Sequence, residues 1–474
     1  MKSVHVIYCD NRRPNMQIRS ITGQNSFGNT IYKRETLEHR TRELFGQIPH
    51  ASAFDTVSNS RDALAAAALR SEDVIFMFYS DFAITDCDKM SVLIEKACYA
   101  HENYRVLSGG RIAGVIYADR EAYEASQGAE MKEWPAIEAD CLYDLSTADN
   151  FRRFITGGFE SRFFNMLSGD EHTVIKHSEN KAKLKAEYEL YGLLPDEMKQ
   201  WFVRPFGYIE DENGASYKMQ RYHMTDLAIR YVHGAIDTAE FEDIMKELFF
   251  FIINRSAKEV TSEQYEEVSK NLYIDKVDER IEKLKSLPQY PRIDAVIRAA
   301  TEYEGIDDIV ALYKRLYARI RNSKKFRNVL AVSHGDLCFS NILYSHDASL
   351  LLLIDPKGAN CADDMYMDPY YDIAKLSHSI CGHYDFFNSD LYEISLDEDM
   401  RLKLDVDADN REYVEIFAKI LKQNGIDFRL VRLYEASLFL SMLPLHIDRE
   451  KKVLAFTLNA IAILKSLEEV CTKI

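Results

Sequence analysis

Hydrophobic positions follow three successive patterns along the chain. Up to about residue 150, short continuous apolar runs alternate with helical periodicity. Val4–Tyr8, Val74–Ser80 and Arg111–Tyr117 read as strands, and Arg34–Phe45, Arg61–Arg70 and Lys89–Tyr99 as helices. Such alternation predicts an open, mostly parallel α/β sheet with helices on both faces. Ligands of such sheets gather at the carboxyl ends of the strands, where Asp10 and Asp81 stand. From 152 to 225 short strands dominate. Phe154–Phe164 reads as a strand, a glycine pair and a second strand, Thr173–Lys176 as a strand, Lys181–Leu194 as a helix and Tyr217–Tyr222 as a closing strand. From 226 to 474 the period becomes helical: Phe241, Ile244, Met245, Leu248, Phe249 and Ile252 recur on one face, as do Ile309, Leu312, Leu316 and Ile320. Val414–Leu421, Leu430–Leu443 and Val453–Val470 continue it, with Pro444 ending or kinking one helix. The exception is Ile342–Tyr344 and Leu350–Ile354, a candidate hairpin. The expectation is an α/β domain over 1–151, followed by an α+β domain with a small part at 152–225 and a helical part at 226–474.

Composition narrows the class. The 474 residues are 47% hydrophobic and 28% charged, ordinary for a soluble protein of two or three domains. A formal charge of −17 repels phosphate backbones and anionic lipid surfaces, which argues against nucleic acid as a partner. The eight cysteines show no Cys-x-x-Cys pair, as reduced cytosolic thiols would not, and do not indicate zinc. The amino terminus reaches a charge too early for a signal-peptide core, and no apolar run approaches spanning length. A cytoplasmic chain without membrane insertion is expected; its oligomeric state is not legible.

The chemistry concentrates in His334-Gly335-Asp336-Leu337-Cys338-Phe339-Ser340-Asn341 and in Asp355, just beyond the apolar run Leu350–Ile354. Hairpin pairing would bring Asp336, Asn341 and Asp355 together. Phosphoryl transfer from ATP uses such a set: one carboxylate to orient or accept the proton of an attacking hydroxyl, an amide and a second carboxylate to hold Mg2+.

This loop resembles that of the aminoglycoside phosphotransferase and choline kinase family, the small-molecule branch of the protein-kinase-like fold. The resemblance implies Asp336 as catalytic base, Asn341 and Asp355 as magnesium ligands and His334 as a loop brace. Asp368-Pro369-Tyr370-Tyr371-Asp372-Ile373-Ala374-Lys375 is similar to the family's following segment, which makes Asp372 a further brace. Upstream, it implies a phosphate-covering turn at Gly157, Gly158 and Ser161, and a strand lysine, Lys176, paired with a helix glutamate. Glu187 fits that order, and Glu189, on another helix face, competes with it. Met219 and Arg221 would lie at the adenine-binding hinge, and the residues after Asp355, Pro356-Lys357-Gly358, depart from the family and imply a different substrate wall. His378, Tyr384 and Asp385 are candidates for the acceptor pocket, with a buried, hydrogen-bonded His378 as the plainer alternative.

The first segment is faintly similar to sugar nucleotidyltransferases, through Tyr79-Ser80-Asp81 and Asp144–Phe151. That implies Asp81 and Asp144 as a second magnesium pair. The family's glycine-rich loop is absent, and Asp10-Asn11-Arg12-Arg13-Pro14 stands in its place. The whole then reads as an ATP- and Mg2+-dependent kinase of a sugar, amino alcohol or related small metabolite, in surface-polysaccharide or lipid decoration, with nucleotidyl activation as a possible partner step. Rival readings are nucleotidyl or glycosyl transfer by the first domain with Asp81 and Asp86-Cys87-Asp88 as ligands, an ATP-binding module without turnover, and a protein kinase, which Gly335 disfavours.

Overall fold

The computed structural model describes residues 2–32, 35–58, 73–126, 133–157, 165–170, 172–222, 224–346, 348–406 and 408–472. They form two compact units. Unit 1 comprises Met1–Phe159 with His223–Thr225 and His233–Ala235, and unit 2 comprises Glu160–Tyr222, Asp226–Val232 and Ile236–Ile474.

Unit 1 is built on six strands: β1 (Val4–Cys9), β2 (Ala51–Val57), β3 (Val74–Tyr79), β4 (Tyr104–Ser108), β5 (Arg111–Tyr117) and β6 (Ala136–Glu138). Their order is β2-β1-β3-β5-β4-β6. Every residue of β1 and β3 is buried, which explains why these central strands are continuous apolar runs. The sheet is mostly parallel, with one reversed strand: β1 runs parallel to β2 and β3 and β4 to β6, while β5 runs antiparallel to β3 and β4. The cause is local. Gly109 and Gly110, at φ 58° and 80°, join β4 and β5 directly, the two positive φ values of a type I′ hairpin turn. Helices occupy Leu37–Gln47 and Cys87–Ala97 as expected, and the expected helix at Arg61–Arg70 lies outside the described residues.

A second departure concerns the glycine turn. Phe154 and Ile155 do not start a strand; they belong to the helix Ala148–Gly157 of unit 1. Phe151 and Ile155 recur at helical spacing and are buried, while Phe154 stacks on Tyr32 with ring centroids 4.3 Å apart. Gly157 closes that helix, and Gly158 and Ser161 lie outside the described residues.

Unit 2 opens with an antiparallel sheet of β7 (Asn165–Gly169), β8 (Thr173–Ser178), β9 (Pro205–Asp211) and β10 (Gly214–Gln220), ordered β7-β8-β10-β9. Helix α1 (Lys181–Leu193) follows β8 and buries Leu184, Ala186 and Leu190. The rest is mainly helical, with Ile309, Leu312, Leu316 and Ile320 packed in one core with the helices Phe428–Met442 and Glu450–Thr472. Pro444 sits in the 3-10 turn between those two helices. Into this part are set β11 (Val329–Val332) and the hairpin of β12 (Ile342–Ser345) with β13 (Leu350–Leu353), in register Ile342 to Leu353. Among the described residues no helix is long and apolar enough to cross a membrane.

Candidate active site

Strand β11 delivers the chain to His334, and the loop that follows is gripped from below by one helix, α2 (Tyr370–Ile380). Asp372, in its first turn and fully buried, accepts the backbone N–H of His334 at 2.9 Å and of Gly335 at 2.8 Å. A buried carboxylate needs a counter-charge. Arg255 supplies it at 2.7 Å and also donates to the Pro369 carbonyl at 2.6 Å. The His334 ring is locked in one tautomer. Its Nδ1 accepts the N–H of Asp336 at 3.2 Å, so Nε2 carries the proton and donates to the Ile354 carbonyl at 2.9 Å. Burial pulls its pKa below the ordinary histidine value, in keeping with a neutral ring.

The hairpin assembles the polar residues. Ile354 donates its N–H to the Asn341 carbonyl at 3.0 Å, which ties the end of β13 to the loop. The Asn341 amide nitrogen donates to the Asp336 carbonyl at 2.8 Å and to its carboxylate Oδ2 at 3.1 Å. Asp355 follows with φ 55°, a left-handed conformation rare outside glycine. The chain then turns through Pro356-Lys357-Gly358, which was expected to alter a substrate wall. In the structure Lys357 packs beside Gly335, and Gly358, at φ 86°, lies so close to α1 that an added Cβ would stand 2.6 Å from the Glu187 nitrogen.

Lys176 projects from β8 and binds Glu187 at 2.5 Å and Asp355 at 3.1 Å. Glu189 is not the partner; it pairs with Lys185 at 3.7 Å, where both side chains are largely exposed. Burial alone would pull the Lys176 pKa down, but Asp355, Tyr217 and Glu187 outweigh it and hold the ammonium charged. Burial also pushes Glu187 upward, yet with the ammonium 2.5 Å away the pair is ionised. Met219 is buried near the end of β10, and Arg221 Nε donates to the Asp170 carbonyl at 2.6 Å, bracing the turn before β8.

One residue went unnoticed in the sequence except as part of a motif. Lys375 Nζ lies 2.8 Å from Asp336 Oδ1, with its side chain largely buried. It sits three residues after Asp372, so one face of α2 holds the loop backbone with the first residue and the Asp336 carboxylate with the second. That i, i+3 spacing was the available signal.

His378, Tyr384 and Asp385 fall close together but below the surface, at 0%, 6% and 2% exposure. His378 stacks on Tyr384 at 4.2 Å, and neither ring nitrogen has a hydrogen-bond partner, so the expectation of a hydrogen-bonded core histidine does not hold. By geometry Asp385 likewise leaves both carboxylate oxygens unpartnered, while the nearby Ser379 hydroxyl favours its charged form. Burial pushes the Asp385 pKa up to about 7, and the neighbouring carboxylate Asp226 adds to it.

No protein-family profile matches this sequence, and no curated protein does. Solved structures it is similar to include aminoglycoside phosphotransferases. The GDP complex of aminoglycoside 2'-phosphotransferase-IIIa is 14% identical, with 66% of this chain and 91% of that one covered at a TM-score of 0.41. Aminoglycoside phosphotransferase APH(3'')-Id from Streptomyces rimosus is 16% identical over 61% and 93%, at 0.38. A ternary complex of a thermostable APH(4)-Ia mutant with AMP-PNP and hygromycin B is 10% identical over 66% and 98%, also at 0.38.

The two candidate metal sites differ in how well they suit a cation. In unit 2, Asn341 turns its nitrogen to Asp336, which leaves its amide oxygen and the 40%-exposed Asp355 carboxylate as hard oxygen donors suited to Mg2+. In unit 1, Asp81 and Asp144 are indeed brought together. Asp144 pairs opposite Phe82, and Leu145 donates to the Asp81 carbonyl at 2.9 Å. Their carboxylates, however, are already bridged by a cation of the chain's own. Arg111 Nη2 binds Asp81 Oδ2 at 2.8 Å and Nη1 contacts Asp144 Oδ1. Arg12 Nη1 holds Asp81 Oδ1 at 2.9 Å and stacks its guanidinium 3.7 Å from the Tyr79 ring centroid. A divalent ion does not fit this arrangement. Asp10 is turned to Ser26 and the Gly28 N–H, and Asp86 caps the helix Cys87–Ala97 through the Lys89 N–H at 3.0 Å.

Proposed function

We propose that unit 2 is an ATP-dependent kinase of a small hydroxylated molecule. The observation that carries the reading is an unbroken series of contacts: Glu187 to Lys176, Lys176 to Asp355, Ile354 to Asn341, and Asn341 to Asp336. It joins a phosphate-binding cation, two oxygen donors and a carboxylate base within one short loop, one hairpin and one strand.

In this reading Lys176, fixed by Glu187, receives the phosphate oxygens of ATP. Asn341 and Asp355 would hold Mg2+, which when bound would neutralise charge on the triphosphate. Asp336 orients the acceptor hydroxyl and takes its proton as the oxygen attacks the γ-phosphorus. The bond from that phosphorus to the β–γ bridging oxygen breaks, and its electron pair leaves with ADP. Lys375 keeps the Asp336 carboxylate aligned, and Asp372 with Arg255 keeps the loop backbone still. Met219, buried near the end of β10, would take the adenine. A sugar or amino alcohol would suit the His378–Tyr384–Asp385 region, whose unpartnered polar atoms can meet hydroxyl or amine groups once a ligand opens it. Nucleotidyl transfer by unit 1 is not part of this reading, because arginines hold Asp81 and Asp144.

The test is a metabolite-pool assay with γ-labelled ATP, read by mass for phosphorylated products, on wild type and Asp336→Ala. A product formed by wild type and reduced at least about 10²-fold in the variant is expected. Equal label transfer by both proteins would overturn the kinase reading.

A further inference from the structure

In unit 1 Asp81, in the turn between β3 and the strand Phe82–Ile84, and Asp144, at the end of the strand Leu142–Asp144 that pairs with Phe82–Ile84, present two carboxylates on adjacent backbones, the geometry on which a divalent ion is commonly held. We infer that the guanidinium of Arg111, seconded by that of Arg12, permanently takes the place of that ion, so that this carboxylate pair binds no divalent metal. The inference does not depend on the kinase reading of unit 2.

Three observations converge on it. Asp81 is 2% exposed, so its charge cannot be left to water and must be met inside the fold. Both of its oxygens are met, Oδ1 by Arg12 and Oδ2 by Arg111, and Arg111 spans from Asp81 to Asp144 as a bridging cation would. Both guanidiniums are themselves anchored: Arg12 donates to the Ile112 carbonyl at 2.8 Å and stacks on Tyr79, and Arg111 lies 5.1 Å from the Phe82 ring centroid. A tethered guanidinium pays no association entropy and is weakly hydrated, whereas Mg2+ surrenders its water reluctantly. At a carboxylate this deeply buried, the tethered ion prevails. Two arginines against two aspartates also leave the cluster neutral, so no charge remains to recruit a metal.

The experiment counts Mn2+ bound per full-length chain, by electron paramagnetic resonance of free Mn2+, without nucleotide. Wild type and Asp81→Asn are expected to bind the same number of ions. Arg111→Ala, which leaves two facing carboxylates, is expected to bind one more, and Arg111→Ala with Asp81→Asn to return to the wild-type count. The inference is overturned if Asp81→Asn alone loses an ion, or if folded Arg111→Ala gains none. Should Arg111→Ala fail to fold, the comparison of wild type with Asp81→Asn still decides.

Discussion

Lys375 shows how a single side chain can matter without a signature of its own. Its ammonium lies 2.8 Å from Asp336 Oδ1 while Asn341 holds Oδ2 at 3.1 Å, so the carboxylate is fixed at both oxygens. Replacing it with methionine keeps the length of the side chain but frees one oxygen to rotate. Lys375→Met should lower kcat roughly 10- to 100-fold with little change in KM for ATP, and Lys375→Arg should recover much of the loss. Steady-state kinetics on the phosphorylated acceptor measures both. An unchanged kcat in the methionine variant would remove Lys375 from the site. The neighbouring residues Asp336, Asn341 and Asp355 were legible because order and spacing along the chain encode them. The partner of Lys176 was legible as Glu187, with Glu189 as competitor on another helix face, and Glu187, on the buried face, is the one that pairs with it.

Among elements, the hairpin β12–β13 and the strands β1, β3 and β5 of unit 1 were readable, because buried strands are apolar and the period is local, whereas β2, β4 and β6 are only partly buried and carry no such run. Strand direction was readable except at β5, which Gly109-Gly110, a two-residue turn, reverses against β4 in an otherwise parallel sheet. The helix at Ala148–Gly157 was missed for the opposite reason: a glycine pair drew attention away from the helical spacing of Phe151 and Ile155. The segment after Asp355 acts at this scale too. Gly358 brings the turn against α1, and the Ala359 N–H donates to the Ala186 carbonyl at 3.0 Å. An alanine there meets positive φ and backbone atoms at 2.6 and 2.7 Å, so α1 must move, and Glu187 with it. Gly358→Ala should cost about 1–3 kcal/mol of stability and weaken nucleotide binding. Denaturant melts and calorimetric titration with an ATP analogue report on each; a variant matching wild type in both would show that the close approach is dispensable.

For the molecule as a whole, buried acids set the response to pH. Asp385 in the folded chain has its pKa raised to about 7, against about 3.9 when unfolded. Between those values the folded state binds the extra proton, so stability is highest below about pH 4 as far as this group is concerned, and is lost as pH rises through about 7. Glu435, also raised to about 7 by burial, acts in the same direction. Asp385→Asn is neutral at every pH and should recover up to about 4 kcal/mol at pH 8 while changing little at pH 4. Urea unfolding at the two pH values is the measurement, and an equal effect at both would mean that Asp385 is paired in solution.

Unit 1 is discontinuous. After Phe159 the chain builds part of unit 2 and then returns His223–Thr225 and His233–Ala235 to unit 1. The returning residues have structural work there: His233 Nε2 accepts the Ile31 N–H at 3.1 Å, and Ala235 packs where a Cβ on Gly23 would stand. A cut at one junction near residue 159 would leave unit 1 without the His233 acceptor for Ile31 and without the Ala235 packing at Gly23.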